Sequence, residues 1–177
     1  MTGRIAQLQT LVRASDNLHI NTEWLDYAGV VEYYPEELVI TVKAGTSIKE
    51  IKKTLAKNSQ SLTFFVSDDK SSIGAVYANG GQDLSDAILG VQIIDGRAEL
   101  LNFGGQVMKN VAGYDVARLL VGSKGQLALI TQISFKVLPS SYVDELTAPT
   151  KLATSSKLTQ QIEQRLKQVF DPKGVFQ

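Results

Sequence analysis

The chain has no cysteine, which excludes a disulfide framework, a thiolate nucleophile, iron–sulfur ligation and the usual Cys-rich zinc site. With no disulfides to form, it reads as cytoplasmic. Its one histidine, His19, rules out a multi-His metal site and most schemes built on imidazole pairs, and it reads as a neutral side chain packed on a strand. No metal is expected. Charge of one sign is also missing: 18 Lys and Arg balance 18 Asp and Glu. Nucleic acid needs a phosphate-neutralising excess, so it is excluded as a partner. Apolar runs such as Ile93-Ile94 and Leu119-Leu120-Val121 are too short to span a bilayer, and the polar start Met1 to Leu8 is not a signal peptide. No membrane insertion is expected. Phosphate-binding signatures are absent too: there is no Gly-x-Gly-x-x-Gly, no Gly-Lys-Ser/Thr loop and no Gly-x-Ser-x-Gly elbow. No catalytic triad can be assembled.

The remaining pattern mixes helix and strand over 177 residues, enough for one domain or two small lobes. Ile5, Leu8, Leu11 and Val12 predict a helix, followed by a short strand at Leu18-His19-Ile20. Strands are predicted at 29–34 and 38–42 around the Pro35 turn. Ser47 and Glu50 form a capping-box pattern, opening a helix with Ile48, Ile51 and Leu55 on its buried face. Its lysines, Lys49, Lys52, Lys53 and Lys57, read as a solvated face. A strand at Leu62–Val66 precedes a short Gly-bounded helix over 73–81. Asp95-Gly96 between apolar runs predicts a hairpin. A helical turn at Tyr114–Leu120 leads to a strand over 127–138, in which Ile133, Phe135 and Val137 face the core and Gln132, Ser134 and Lys136 face water. A last helix over 157–170 carries Leu158, Ile162, Leu166 and Val169 on one stripe. This hairpin-rich mixture argues for α+β.

Glycines crowd the middle, from Gly74 to Gly125, where turns before helices are candidate phosphate cradles. Phe103-Gly104-Gly105-Gln106-Val107-Met108-Lys109-Asn110-Val111-Ala112-Gly113-Tyr114-Asp115 continues through Arg118–Gly125 to Phe135-Lys136-Val137-Leu138-Pro139. That run, with residues 29–33, 37–46 and the terminal Asp171-Pro172-Lys173-Gly174-Val175-Phe176, resembles the family of FAD-binding subunits of bacterial glycolate oxidase. These flavoproteins carry the FAD-binding domain of the vanillyl-alcohol-oxidase and p-cresol-methylhydroxylase type.

The resemblance implies a two-lobed α+β fold: a small βαβ-like lobe at 1–66, a larger antiparallel lobe at 67–139, and a vestigial cap with a helix that packs back at 140–177. It implies FAD as the cofactor. The counterparts of the family's binding residues are Ser72, Ile73, Gly74 and Ala75, then Gly122, Ser123, Gly125 and Leu127, with Asn110, Gly113 and Ile130 nearby. Three departures accompany this. The Gly-rich first pyrophosphate loop of the family is replaced by Asn21-Thr22-Glu23, a later segment is shortened to Gln82–Ser85, and the cap is reduced to one loop and one helix. Losing three charge-assisted hydrogen bonds of roughly 1.5 kcal/mol each weakens binding on the order of a thousandfold. The expectation is a flavin-binding subunit of a 2-hydroxy-acid oxidoreductase with a weakened grip, no catalytic residue of its own, and other subunits or a second copy as partners. Two alternatives stay open: a scaffold that has lost FAD and binds partners, and a binder of a smaller phosphate-bearing ligand at the Gly74 or Gly122 turns.

Overall fold

A computed structural model describes residues 3–18, 26–106, 115–143, 146 and 157–177. The first helix, α1 (Arg4–Ala14), buries Leu8 and Val12 on one stripe, as its spacing requires. After it come β1 (Val30–Tyr34) and β2 (Val39–Lys43), joined through the Pro35 turn, where Leu38 takes φ +58°. His19 and Ile20 lie outside the described residues. Leu18 donates its N–H to the Val175 carbonyl at 2.6 Å. Helix α2 (Ile48–Ala56) starts at Ser47, whose Oγ accepts from the Glu50 N–H at 3.2 Å, and it buries Ile48, Ile51 and Leu55. Of its lysines, Lys52 pairs with Asp69 at 2.6 Å on the surface, an ion pair worth little in water.

The strand expected at Leu62–Val66 is not formed. Ladder pairing stops after β3 (Gln60–Ser61), which meets β7 (Leu138–Pro139). Beyond it Leu62 and Phe64 are buried in irregular backbone, and the Phe65 N–H is taken by the Asp83 carboxylate at 2.9 Å instead of by a neighbouring strand. Helix α3 (Ile73–Asn79) follows, then a helix not foreseen, α4 (Gln82–Ala87), which buries Leu84 and Ala87.

Strands β4 (Ile88–Ile94) and β5 (Leu100–Gly104) form the hairpin signalled by Asp95-Gly96, but through a five-residue connection rather than a two-residue turn. Asp95, 1% exposed, explains the extra length: its carboxylate accepts from the Arg97 and Glu99 N–H groups at 2.9 and 2.8 Å. Helix α5 (Val116–Leu119) is capped by Asp115, whose Oδ1 accepts from the Arg118 N–H. Tyr114 is outside the described residues. Strand β6 (Leu129–Lys136) and helix α6 (Lys157–Phe170) complete the set.

Five strands make one antiparallel sheet in the order β1-β2-β6-β4-β5. Ile133, Phe135 and Val137 are fully buried, as their alternation predicts, and Phe135 meets Phe64 edge to face at 5.6 Å. The opposite face is not simply wet. Ser134 is 9% exposed and Thr41 5%, their hydroxyls are 2.8 Å apart, and Gln106 reaches across to Thr41 at 3.1 Å and to the Glu32 carboxylate. Within residues 1–66, β1 and β2 pair antiparallel, and β2 joins the common sheet by pairing with β6 along Val39–Lys43.

The carboxyl end packs back, though not along the expected stripe. Leu166 and Phe170 reach the core, and Phe170 meets Phe103 edge to face at 6.1 Å. Ile162 and Val169 stay 46% and 58% exposed. The side chain of Leu158 lies outside the described residues. The anchor lies beyond the helix: Asp171, 2% exposed, accepts from the Val175 and Phe176 N–H groups at 2.7 and 2.9 Å, and buries Val175 and Phe176.

Candidate functional site

Ser72 stands in extended backbone just before α3, and its Oγ accepts from the Ala75 N–H at 3.2 Å. The neighbouring amides are occupied as well. Ile73 donates to the Thr46 carbonyl at 2.9 Å and Gly74 to the Ala44 carbonyl at 2.8 Å. A methyl group at Gly74 would stand 2.9 Å from the Ala44 carbonyl oxygen, so only glycine lets α3 lie on the end of β2. The N–H groups of residues 73–75 at this turn are thus engaged within the fold.

Across from α3 runs the loop 120–128. Gly122 donates to the Tyr77 carbonyl at 3.0 Å and Lys124 to the Ala78 carbonyl at 2.8 Å, so the loop satisfies carbonyls left open at the C-terminal end of α3. Gly122, Lys124 and Gly125 have φ of +78°, +55° and +74°. Two of these are glycines for that reason; the lysine between them is not. Tyr77, fully buried, donates its hydroxyl to the Ala117 carbonyl. Burial first, and then the Asp115 charge, hold its phenol well above the ordinary tyrosine range, so it is no proton acceptor at neutral pH.

Helix and loop enclose a cavity of about 230 Å³. Ser72, Gly74, Ala75, Ala78 and Asn79 line one side, Lys124, Gly125, Ala128 and Ile130 line the other, and Gln177 joins them from the carboxyl end. Five of the expected site residues thus meet, drawn from two motifs some fifty residues apart: Ser72, Gly74, Ala75, Gly125 and Ile130. Ile73 does not join them, being fully buried in the core. Gly122, Ser123 and Leu127 line a second cavity of about 340 Å³ shared with α6, where Gln160, Glu163, Gln164 and Lys167 form the other wall. The Ser123 Oγ is buried without a hydrogen-bond partner among the described residues. Asn110 and Gly113 lie outside the described residues. Asn79 and Lys124 were missed in the sequence, although Lys124 sits in the glycine-bounded turn that drew attention.

As a test of fit for FAD, the first cavity takes a phosphate- or ribose-sized group, whereas sites that bury a drug-sized ligand run to roughly 300–1,000 Å³. The residues fit one part of a dinucleotide, offered through side chains and not through the α3 amides. Among the described residues, no three His, Asp or Glu side chains are placed to hold a metal ion. Among the described residues, no helix is long and apolar enough to cross a membrane.

No family model matches the chain. Over 123 residues it is 42% identical to the glycolate oxidase subunit GlcE of Escherichia coli, an alignment covering 64% of this chain and 35% of that protein. It is 37% identical over 54 residues to the glycolate oxidase subunit GlcD of Bacillus subtilis, covering 30% of this chain and 12% of that one. An uncharacterised FAD-linked oxidoreductase of Mycobacterium tuberculosis is 28% identical over 118 residues, 62% of this chain and 26% of its own length. The chain thus spans about a third or less of these relatives. A solved alkyldihydroxyacetonephosphate synthase superposes with a TM-score of 0.53 at 21% identity, covering 64% of this chain and 21% of that one, a likeness of fold. Over the aligned residues the chain is thus similar to the glycolate oxidase subunit GlcE, and its α+β fold is like that of the solved alkyldihydroxyacetonephosphate synthase.

Proposed function

We propose that this chain is an FAD-binding subunit of a 2-hydroxy-acid oxidoreductase assembly, with a weak hold on the cofactor and no turnover alone. The single observation carrying this reading is the cavity in which Ser72, Gly74 and Ala75 face Gly125 and Ile130. FAD would supply the redox chemistry; the chain's residues would hold its phosphate-bearing part and orient it. Ser72 retains a hydroxyl proton to donate, since its Oγ acts as acceptor in the cap, and Lys124 supplies positive charge. Weak binding follows from the engaged amides at 73–75, which take three donors away from any diphosphate. Subunits of the glycolate oxidase kind are the proposed partners, on the strength of the similarity to GlcE and GlcD. Protein purified with and without excess FAD tests the reading by flavin absorbance and melting temperature. Bound flavin, or a rise of a few degrees at an FAD concentration about 100 times Kd, is the expected result. Colourless protein whose melting is indifferent to FAD would remove it.

The same engaged amides favour a second reading, a scaffold that keeps the fold without the cofactor and meets its partners through protein surface alone. Titration distinguishes the two: stoichiometric FAD in freshly isolated protein is incompatible with the scaffold.

A further inference from the structure

Lys124 occupies the left-handed region at φ +55°, a conformation an L side chain adopts at a cost and glycine adopts freely. Its two neighbours with positive φ in the same turn, at +78° and +74°, are glycines. Among the described residues, the contact that fixes the position is made by the Lys124 main chain, whose N–H donates to the Ala78 carbonyl at 2.8 Å. Yet a lysine stands in this position, and it lines both the cavity beside α3 and the larger one beside α6. Among the described residues that line the cavity beside α3, it is the only one with a charged side chain. Around it stand the hydroxyl of Ser72 and the carboxamide of Asn79, groups able to donate to oxyanions.

We propose that Lys124 is the anion-gripping residue of this site, taking the diphosphate of a nucleotide by its ammonium group where the amides of α3 are not free to do so. The proposal rests on the flavin reading only for the identity of the physiological ligand. A strained lysine between two glycines persists when its side chain supplies something glycine cannot, and here that is the cavity's one positively charged side chain. The occupant is then a dianionic or trianionic phosphate compound rather than a neutral isoalloxazine fragment. Binding through a single lysine also weakens with added salt.

The full chain and its Lys124→Ala, Lys124→Gly and Lys124→Arg variants are titrated by calorimetry with ADP, inorganic pyrophosphate, FAD and riboflavin, at low and at moderate salt. Expected are a roughly tenfold loss of ADP, pyrophosphate and FAD affinity in the Ala and Gly variants, near-native binding in the Arg variant, and riboflavin unaffected throughout. Lys124→Gly should in addition melt about 2 °C higher than the native chain and Lys124→Ala should not, which separates lost charge from relieved strain and confirms that both variants fold. Affinities for ADP and pyrophosphate within twofold of native in the Ala variant would overturn the proposal, leaving the flavin reading standing if FAD still binds. A native chain that binds neither ADP nor pyrophosphate would overturn it as well. Lys124-dependent binding of ADP and pyrophosphate, with no binding of FAD, would uphold the proposal and remove the flavin reading.

Discussion

Gly74 and Tyr77 sit one helical turn apart, and each holds α3 in place by a different means. The Gly74 position is closed by the Ala44 carbonyl, so Gly74→Ala must push α3 off the end of β2; backbone cannot yield as a side chain tip can. A loss of about 2 kcal/mol is expected, lowering the melting temperature by roughly 4–8 °C for a chain of this size. Tyr77 donates to the Ala117 carbonyl inside the core. Tyr77→Phe leaves that carbonyl without its donor and should cost about 1–2 kcal/mol in a denaturant titration. The two variants should also differ at alkaline pH. Tyr77 has a folded pKa raised above its unfolded value of 10.0, so its contribution is complete below pH 10 and is lost as pH rises above it. Stability should fall above pH 10 in the native chain and fall less steeply in Tyr77→Phe. A glycine signal at 74 was legible in the sequence, but the packing that requires a bare Cα was not: only the structure shows the Ala44 carbonyl closing that position from the end of β2.

Elements were legible where one physical rule decided them. Ser47 and Glu50 announced α2, and the alternation of Ile133, Phe135 and Val137 announced β6 with its buried face. Where two rules competed, the pattern misled. Leu62–Val66 has strand composition, yet Asp83 claims an amide that a ladder needs, and apolar burial proceeds without pairing. Helix α6 shows the reverse: its stripe is amphipathic, but the fixed point is the Asp171 carboxylate just past its last residue. Asp171→Ala removes the acceptor for two buried amides and should cost roughly 3 kcal/mol, while Val169→Gln, on a side chain 58% exposed, should stay within about 0.5 kcal/mol of native. Thermal melts of the two variants side by side check the contrast. Equal losses would mean that the stripe, and not the turn after it, secures the carboxyl end.

At the scale of the molecule, the question is whether a chain recognisable as a flavin-domain relative from its sequence still melts in two parts. The resemblance implies a boundary at residue 66, and the pairing of β2 with β6 crosses it. Ile40 in β2 lies opposite Phe135 in β6, and Phe135 touches Phe64, so residues from both sides of that boundary share one buried cluster. A shared core of this kind makes unfolding all-or-none. Phe135→Ala, at the centre of that cluster, should cost about 3–5 kcal/mol, a large part of the roughly 5–15 kcal/mol that holds a domain of ordinary stability. If the sheet is one cooperative unit, far-UV and near-UV circular dichroism should shift to lower denaturant by the same amount, with one midpoint between them. Two separated midpoints, with only one moved by the substitution, would mean two lobes that fold independently, divided at residue 66 as the resemblance implies.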